Sequence, residues 1–244
     1  MTKTRLKILF LLSLCLFLLA LVSCSGGYEK EYQSTYTFNE DQEDWITGFA
    51  DLPADFDETF YELDSGWGAL PTGLEGNAIY LSGHNHSDDL FMFLKVQIDG
   101  LKPNTTYQVY FSIDLASNTP EGMMGIGGSP GESVFVKAGA VDYQPEVIED
   151  TASWLRMNID KGNQASEGED MINLGTLANP NINLDTFTGE EYALMTLTSE
   201  GRDFEVTSDD QGRAWLIAGA DSGFEGATRV YYSRILAQFT ETSQ

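Results

Sequence analysis

Both histidines of this 244-residue chain fall in one short run, Ser82-Gly83-His84-Asn85-His86-Ser87-Asp88-Asp89. Two imidazoles one residue apart, with carboxylates just behind, are metal-ligating chemistry. Zinc held by such groups lowers the pKa of a bound water to about 7. Residues two apart on a strand share a face, so His84 and His86 can meet one cation if a strand extends that far. This defines one candidate centre, a metal-assisted hydrolase built on His84, His86 and Asp88, with Asp89 beside them. The same residues also read as turn chemistry, because Asn and Asp side chains bond their own backbone.

Oxygen-rich turns form a second set. Asp160 to Asp170 and Asp221-Ser222-Gly223-Phe224-Glu225-Gly226 are acidic and loop-like. Calcium takes six to eight oxygens. Asp88, Asp89, Asp221 and Glu225 are therefore candidate metal ligands, with calcium as the candidate cofactor and a structural role for it. Sugar recognition needs aromatic faces for the C–H side of a ring and polar groups for its hydroxyls. Trp67, in Ser65-Gly66-Trp67-Gly68, reads as a loop residue and a stacking candidate. Trp154 is a second, while Trp45 and Trp215 read as core. Trp67 and Trp154 with His84, Asn85, His86 and Asp88 make the candidate ligand-binding surface. No G-x-S-x-G nucleophile motif occurs. The run Gly125 to Glu132 lacks the lysine of a P-loop and opens a strand, so nucleotide binding is excluded.

Period-two alternation dominates the elements that must position these groups. Leu90, Met92, Leu94, Val96 and Ile98 share one face, with Lys95 and Gln97 on the other. Tyr107 to Leu115 alternates likewise. Further strands are expected at Thr35–Phe38, Ala78–Ser82, Ser133–Ala138, Leu155–Ile159, Tyr192–Leu197, Ala214–Ala218 and Arg229–Phe239. The expected fold is all-β, a single antiparallel β-sandwich of jelly-roll type over residues 35–244.

The charge is lopsided, with 38 acids against 13 bases and a net of −25. Such a body repels nucleic acid. Lys3, Arg5 and Lys7 precede the apolar run Ile8 to Val22, which is a signal-peptide pattern and short for a membrane span. Leu21-Val22-Ser23-Cys24 resembles a bacterial lipobox. The resemblance implies a lipoprotein signal over 1–23, acyl chains on Cys24, and a tether over 24–34. It places the chain in the cell envelope, anchored to a membrane, and in the outer membrane if the source has two.

Three segments carry a second resemblance. Phe38 with Trp45 and Gly48-Phe49 looks like the opening strand of galactose-binding-like jelly rolls. Gly100-Leu101-Lys102-Pro103-Asn104-Thr105-Thr106-Tyr107 is similar to a turn and strand of carbohydrate-binding modules, and Val230 to Ile235 to their last strand. Ser82–Phe93, Ile126–Gly139 and Asp221–Thr228 resemble an uncharacterised group of bacterial lipoproteins. The family implies an oligo- or polysaccharide partner. His84-Asn85-His86-Ser87-Asp88-Asp89 is also similar to the opening of the metallo-β-lactamase metal motif, but Asp89 replaces its last histidine and no downstream histidine exists. That family is therefore not assigned.

Overall fold

The computed structural model describes residues 31–242. The expected signal segment and the lipidation site Cys24 lie outside them. Among the described residues, almost all regular structure is strand, in three antiparallel sheets.

The largest sheet joins β1 (Glu31–Thr37), β4 (Asp64–Ala69), β5 (Asn77–His84), β7 (Thr106–Ser117), β12 (Ala193–Thr198), β13 (Glu205–Thr207) and β15 (Ala227–Glu241). β15 is its spine. One edge of β15 pairs β7, while β1 and β5 share its other edge end to end. The second sheet runs β11 (Met171–Thr176), β8 (Val134–Val141), β14 (Ala214–Ser222), β6 (Leu90–Ile98) and β2 (Ile46–Ala50). Between the two lies one core, with Leu81, Phe111, Tyr232 and Phe239 from the first sheet facing Met92, Val136 and Leu216 from the second. This is the expected β-sandwich, and both long alternating strands stand where the pattern placed them.

The tether expected over 24–34 is too long. Glu31 to Ser34 already belong to β1, paired with Thr240 to Ala237, and Tyr32 packs edge-on against Tyr107 at 5.7 Å. A strand that can pair with the β15 edge satisfies its backbone there, so the polar look of the segment did not make it a linker.

The second sheet is buried on both faces. A small third sheet, β3 (Leu52–Pro53), β10 (Trp154–Met157) and β9 (Val147–Glu149), covers its outer side together with the 158–170 segment. Phe91, Phe93, Val141, Met157, Ile159 and Ile217 form a second apolar cluster there. The segment lies so close that a Cβ on Gly139 of β8 would stand 1.9 Å from the carbonyl oxygen of Asp170. Only glycine fits.

Connections that cross between the two main sheets gather at the two ends. Residues 85–89, 118–133 and 223–226 lie at one end, tied by Asn85 N–H to the Gly226 carbonyl, Glu225 N–H to Ile126 and Gly223 N–H to Ser133. The start of β1, the end of β15 and the 99–105 turn lie at the other, as the Glu31–Thr240 and Tyr107–Glu241 pairs show. Between them runs β15, fifteen residues long, or about 50 Å at strand rise.

Candidate functional site

His84 ends β5 and His86 sits in the following loop. Their rings stack at 3.9 Å with 22° between planes, and Phe60 stacks on the other face of His86 with the same spacing. Phe60 comes from a four-residue helix, α1 (Glu58–Tyr61), whose first turn is capped by the Asp57 carboxylate accepting from Thr59 N and Phe60 N. Tyr61 of the same turn is buried and meets His86 edge-on, which fixes the column from below. Phe60 itself is 56% exposed. The result is a three-ring surface column, with Glu62 Oε1 3.7 Å from His84 Nδ1.

The neighbouring residues divide. Asn85 is buried; its Nδ2 donates to the Ser222 carbonyl at 2.9 Å and its Oδ1 accepts from Ser87 N. It is a strut between this loop and the end of β14, buried away from any ligand. Asp88 is exposed, with φ 68°, and its carbonyl accepts from Gln164 Nε2. Glu225 is exposed on its own turn. Among the described residues, neither belongs to a group of three close metal-ligating side chains.

Asp89 and Asp221 do converge, and Asp51 joins them. Oxygens of these three carboxylates lie within 4.8 Å of one another. Asp51 follows β2 at a residue with φ 63°, Asp89 precedes β6, and Asp221 lies on the outer face of β14. Asp51 and Asp221 are almost fully buried. Three cations answer them. Lys161 Nζ lies 2.8 Å from both Asp51 Oδ2 and Asp221 Oδ2. Lys137 Nζ, wholly buried, lies 3.1 Å from Asp221 Oδ2. Arg156 Nη1 donates to Asp51 Oδ1 at 2.7 Å and stands 3.6 Å from Asp89 Oδ2.

These charges sort the protonation states. Burial opposes ionisation of Asp221, but the Lys161 and Lys137 ammonium charges outweigh it and hold its carboxyl below the usual range. Burial pushes the Asp89 carboxyl up to about 8, with the charges of Asp221 and Asp51 adding to the effect. Asp89 is therefore an acid at neutral pH, hydrogen-bonded to Asp221. Burial alone would lower Lys161, yet Asp221 and Asp51 raise it. Lys137 is lowered by burial, with Asp221 offsetting part of that.

A cleft of about 240 Å³ opens over this cluster, lined by Asp51, Asp89, Arg156, Asp160, Lys161 and Asn163. The Arg156 guanidinium lies over the half-buried Trp154 ring at 4.8 Å. Trp154 and Arg156 are two apart on β10 and share a face.

Trp67 belongs elsewhere. It lies in β4, not in a loop, opposite the buried Ile79, while His84 alternates with Tyr80 and Ser82 on the other face. The two are on opposite faces of the sheet and five residues apart along it, about 16 Å. Trp67 Nε1 donates to the Phe38 carbonyl at 2.7 Å. That bond pins an edge strand, whose glycine-rich sequence concealed it.

Sequence reasoning missed Asp51, Lys137, Lys161, Arg156 and Phe60. Lys137 carried the one usable signal, a charge inside the apolar run Val134 to Val141.

No family model matches the chain, and no curated protein does. Solved structures similar to it include a carbohydrate-binding module studied for specific mannan recognition. It shares 11% identity over 87% of this chain and 99% of that one, with a TM-score of 0.38. The family 11 carbohydrate-binding module of a cellulosomal cellulase of Clostridium thermocellum shares 8% over 87% and 96%, with a TM-score of 0.39. The enzymatically active domain of bacteriophage CBA120 tailspike protein 4 shares 13% over 82% of this chain, which spans 20% of that one, with a TM-score of 0.36. Likeness this loose transfers neither ligand nor site, and the fold assignment rests on the sheets of this chain.

Proposed function

We propose that this protein is a glycan-binding β-sandwich of the bacterial cell envelope, exported and held at a membrane by lipid on Cys24. The observation that carries the reading is the exposed Phe60–His86–His84 column. An apolar ring face left in water, with two imidazoles stacked behind it and the Glu62 carboxylate beside His84, suits the C–H face and hydroxyls of a sugar ring. The 85–89 loop leads from this column to Asp89, which lines the cleft over the carboxylate cluster. The anchor would leave from the Glu31 end and the column stands at the other, which would present it outward. The sequence resemblance to carbohydrate-binding jelly rolls points the same way.

The test is a glycan array followed by calorimetry on the full chain, with Phe60→Ala, Trp154→Ala and Trp67→Ala beside it. Binding that falls with the first two and survives the third is expected. Absence of binding to every poly- and oligosaccharide offered overturns the reading.

A further inference from the structure

The three-carboxylate centre has the outline of a metal site, and calcium is the candidate ion for two of its members, Asp89 and Asp221. Its residues do not fit one. An ammonium has three N–H donors and no acceptor. Lys161 Nζ has three oxygens around it: Asp51 Oδ2 and Asp221 Oδ2 at 2.8 Å and the Gly162 carbonyl at 3.4 Å. Lys137 Nζ also has three: the Lys161 and Ser166 carbonyls at 2.8 and 2.9 Å and Asp221 Oδ2 at 3.1 Å. Each buried ammonium thus has two hydrogen-bond acceptors and one further carboxylate oxygen in an ion pair.

We propose that the Lys161 ammonium is the resident cation of this centre, occupying the position between Asp51 and Asp221 that a divalent ion would take, so that the native centre binds no divalent metal and becomes a metal site only when that ammonium is removed.

Calcium needs six to eight oxygens at 2.3–2.6 Å. Asp221 Oδ2 already accepts from Lys161 and from the Gln164 N–H at 2.9 Å and lies 3.1 Å from Lys137, while Asp51 Oδ2 is held in an ion pair with Lys161. An added divalent ion would meet two ammonium groups at close range and add its charge to a set in which Lys137, Lys161 and Arg156 already face only two ionised carboxylates, Asp51 and Asp221. Those charges are screened little at such depth. The geometry also gives Lys161 a second task that a free ion lacks. It is covalently part of the 158–170 segment, so its ion pairs tie that segment to the β2–β3 corner and to β14. A metal would bridge the corner and the strand and leave the segment loose.

The experiment follows the melting temperature of the full chain in chelator and in millimolar calcium or manganese, for the native protein and for Lys161→Met and Lys161→Gln. Metal content after dialysis is measured on the same samples. The native protein is expected to melt at one temperature in all buffers and to retain no metal. The variants are expected to melt lower in chelator and to recover several degrees in calcium or manganese, retaining the ion. A native melting temperature that rises with either ion, and loses that rise in Asp221→Asn, overturns the proposal. So do variants that fold but ignore both ions. If neither variant folds, the native response alone decides, since indifference supports the proposal and a rise refutes it.

Discussion

Lys137 Nζ lies 3.1 Å from Asp221 Oδ2 with both side chains wholly removed from water. They meet on the outer face of the second sheet, diagonally across the β8–β14 pair, where Lys137 stands opposite Gly219. Taking one partner away leaves the other charged and buried. Asp221→Ala strands two ammonium groups and is expected to cost about 3–5 kcal/mol, as for other broken buried pairs. Chemical denaturation at pH 7 measures it. Lys137→Met combined with Asp221→Leu should lose less than the sum of the single changes.

Asp89 makes stability depend on pH in the direction opposite to an ordinary paired carboxylate. Its carboxyl is raised to about 8 in the fold and titrates near 3.9 in the unfolded chain. Between those values the folded protein holds a proton that the unfolded chain has lost. The stabilising contribution is complete below about pH 4 and falls as pH rises towards 8, by up to about 1.4 kcal/mol per unit. Asp89→Asn keeps a donor and removes the titration. Its melting temperature relative to the native protein should climb between pH 5 and 8 and then level off.

The column and the edge tryptophan separate binding from stability. Phe60→Ala deletes an exposed ring and is expected to leave stability within about 0.5 kcal/mol. It should weaken oligosaccharide binding about tenfold, near the upper range for one aromatic contact. Trp67→Ala should do the reverse. It loses the 2.7 Å bond to the Phe38 carbonyl and should cost about 1–3 kcal/mol, with affinity unchanged. Calorimetry and urea titration of both variants distinguish the roles.

Gly139→Ala tests how firmly the 158–170 segment is seated. The new methyl group meets the Asp170 carbonyl and the Met171 side chain, and the carbonyl cannot yield without moving the segment. Overpacking of this kind costs about 1–3 kcal/mol. Backbone amides of the 158–170 segment should exchange hydrogen faster in this variant, and Lys161 should lose its place.

The strands were legible because one face of each is buried in a shared core, and alternation records that directly. Leu90 to Ile98 is the instructive case. Its even positions point inward as expected, yet Phe91, Phe93 and Lys95 are buried too. Alternation cannot reveal a second cover that arrives from 60 residues downstream. Lys95 looks like a solvent residue in the sequence and is instead folded under, with its ammonium donating to the Pro145 carbonyl. The same limit applied to the site. Asp51, Lys137, Lys161 and Asp221 are spread over 170 positions, and each alone is an unremarkable charge. Only the fold reveals that their charges cancel. The histidine segment was legible as a place, since two imidazoles in eight residues are conspicuous, but Phe60, which completes the column, lies on a turn too short to carry any period.

The seven consecutive pairs between β1 and β15 have a mechanical consequence. The chain enters β1 at Glu31, at the end opposite the ring column, and β1 runs lengthwise along β15. A pull on the residues before Glu31, resisted by whatever the far loops grip, would act along the strands rather than across them. The bonds of that pairing would then share the load in shear instead of opening one by one like a zip.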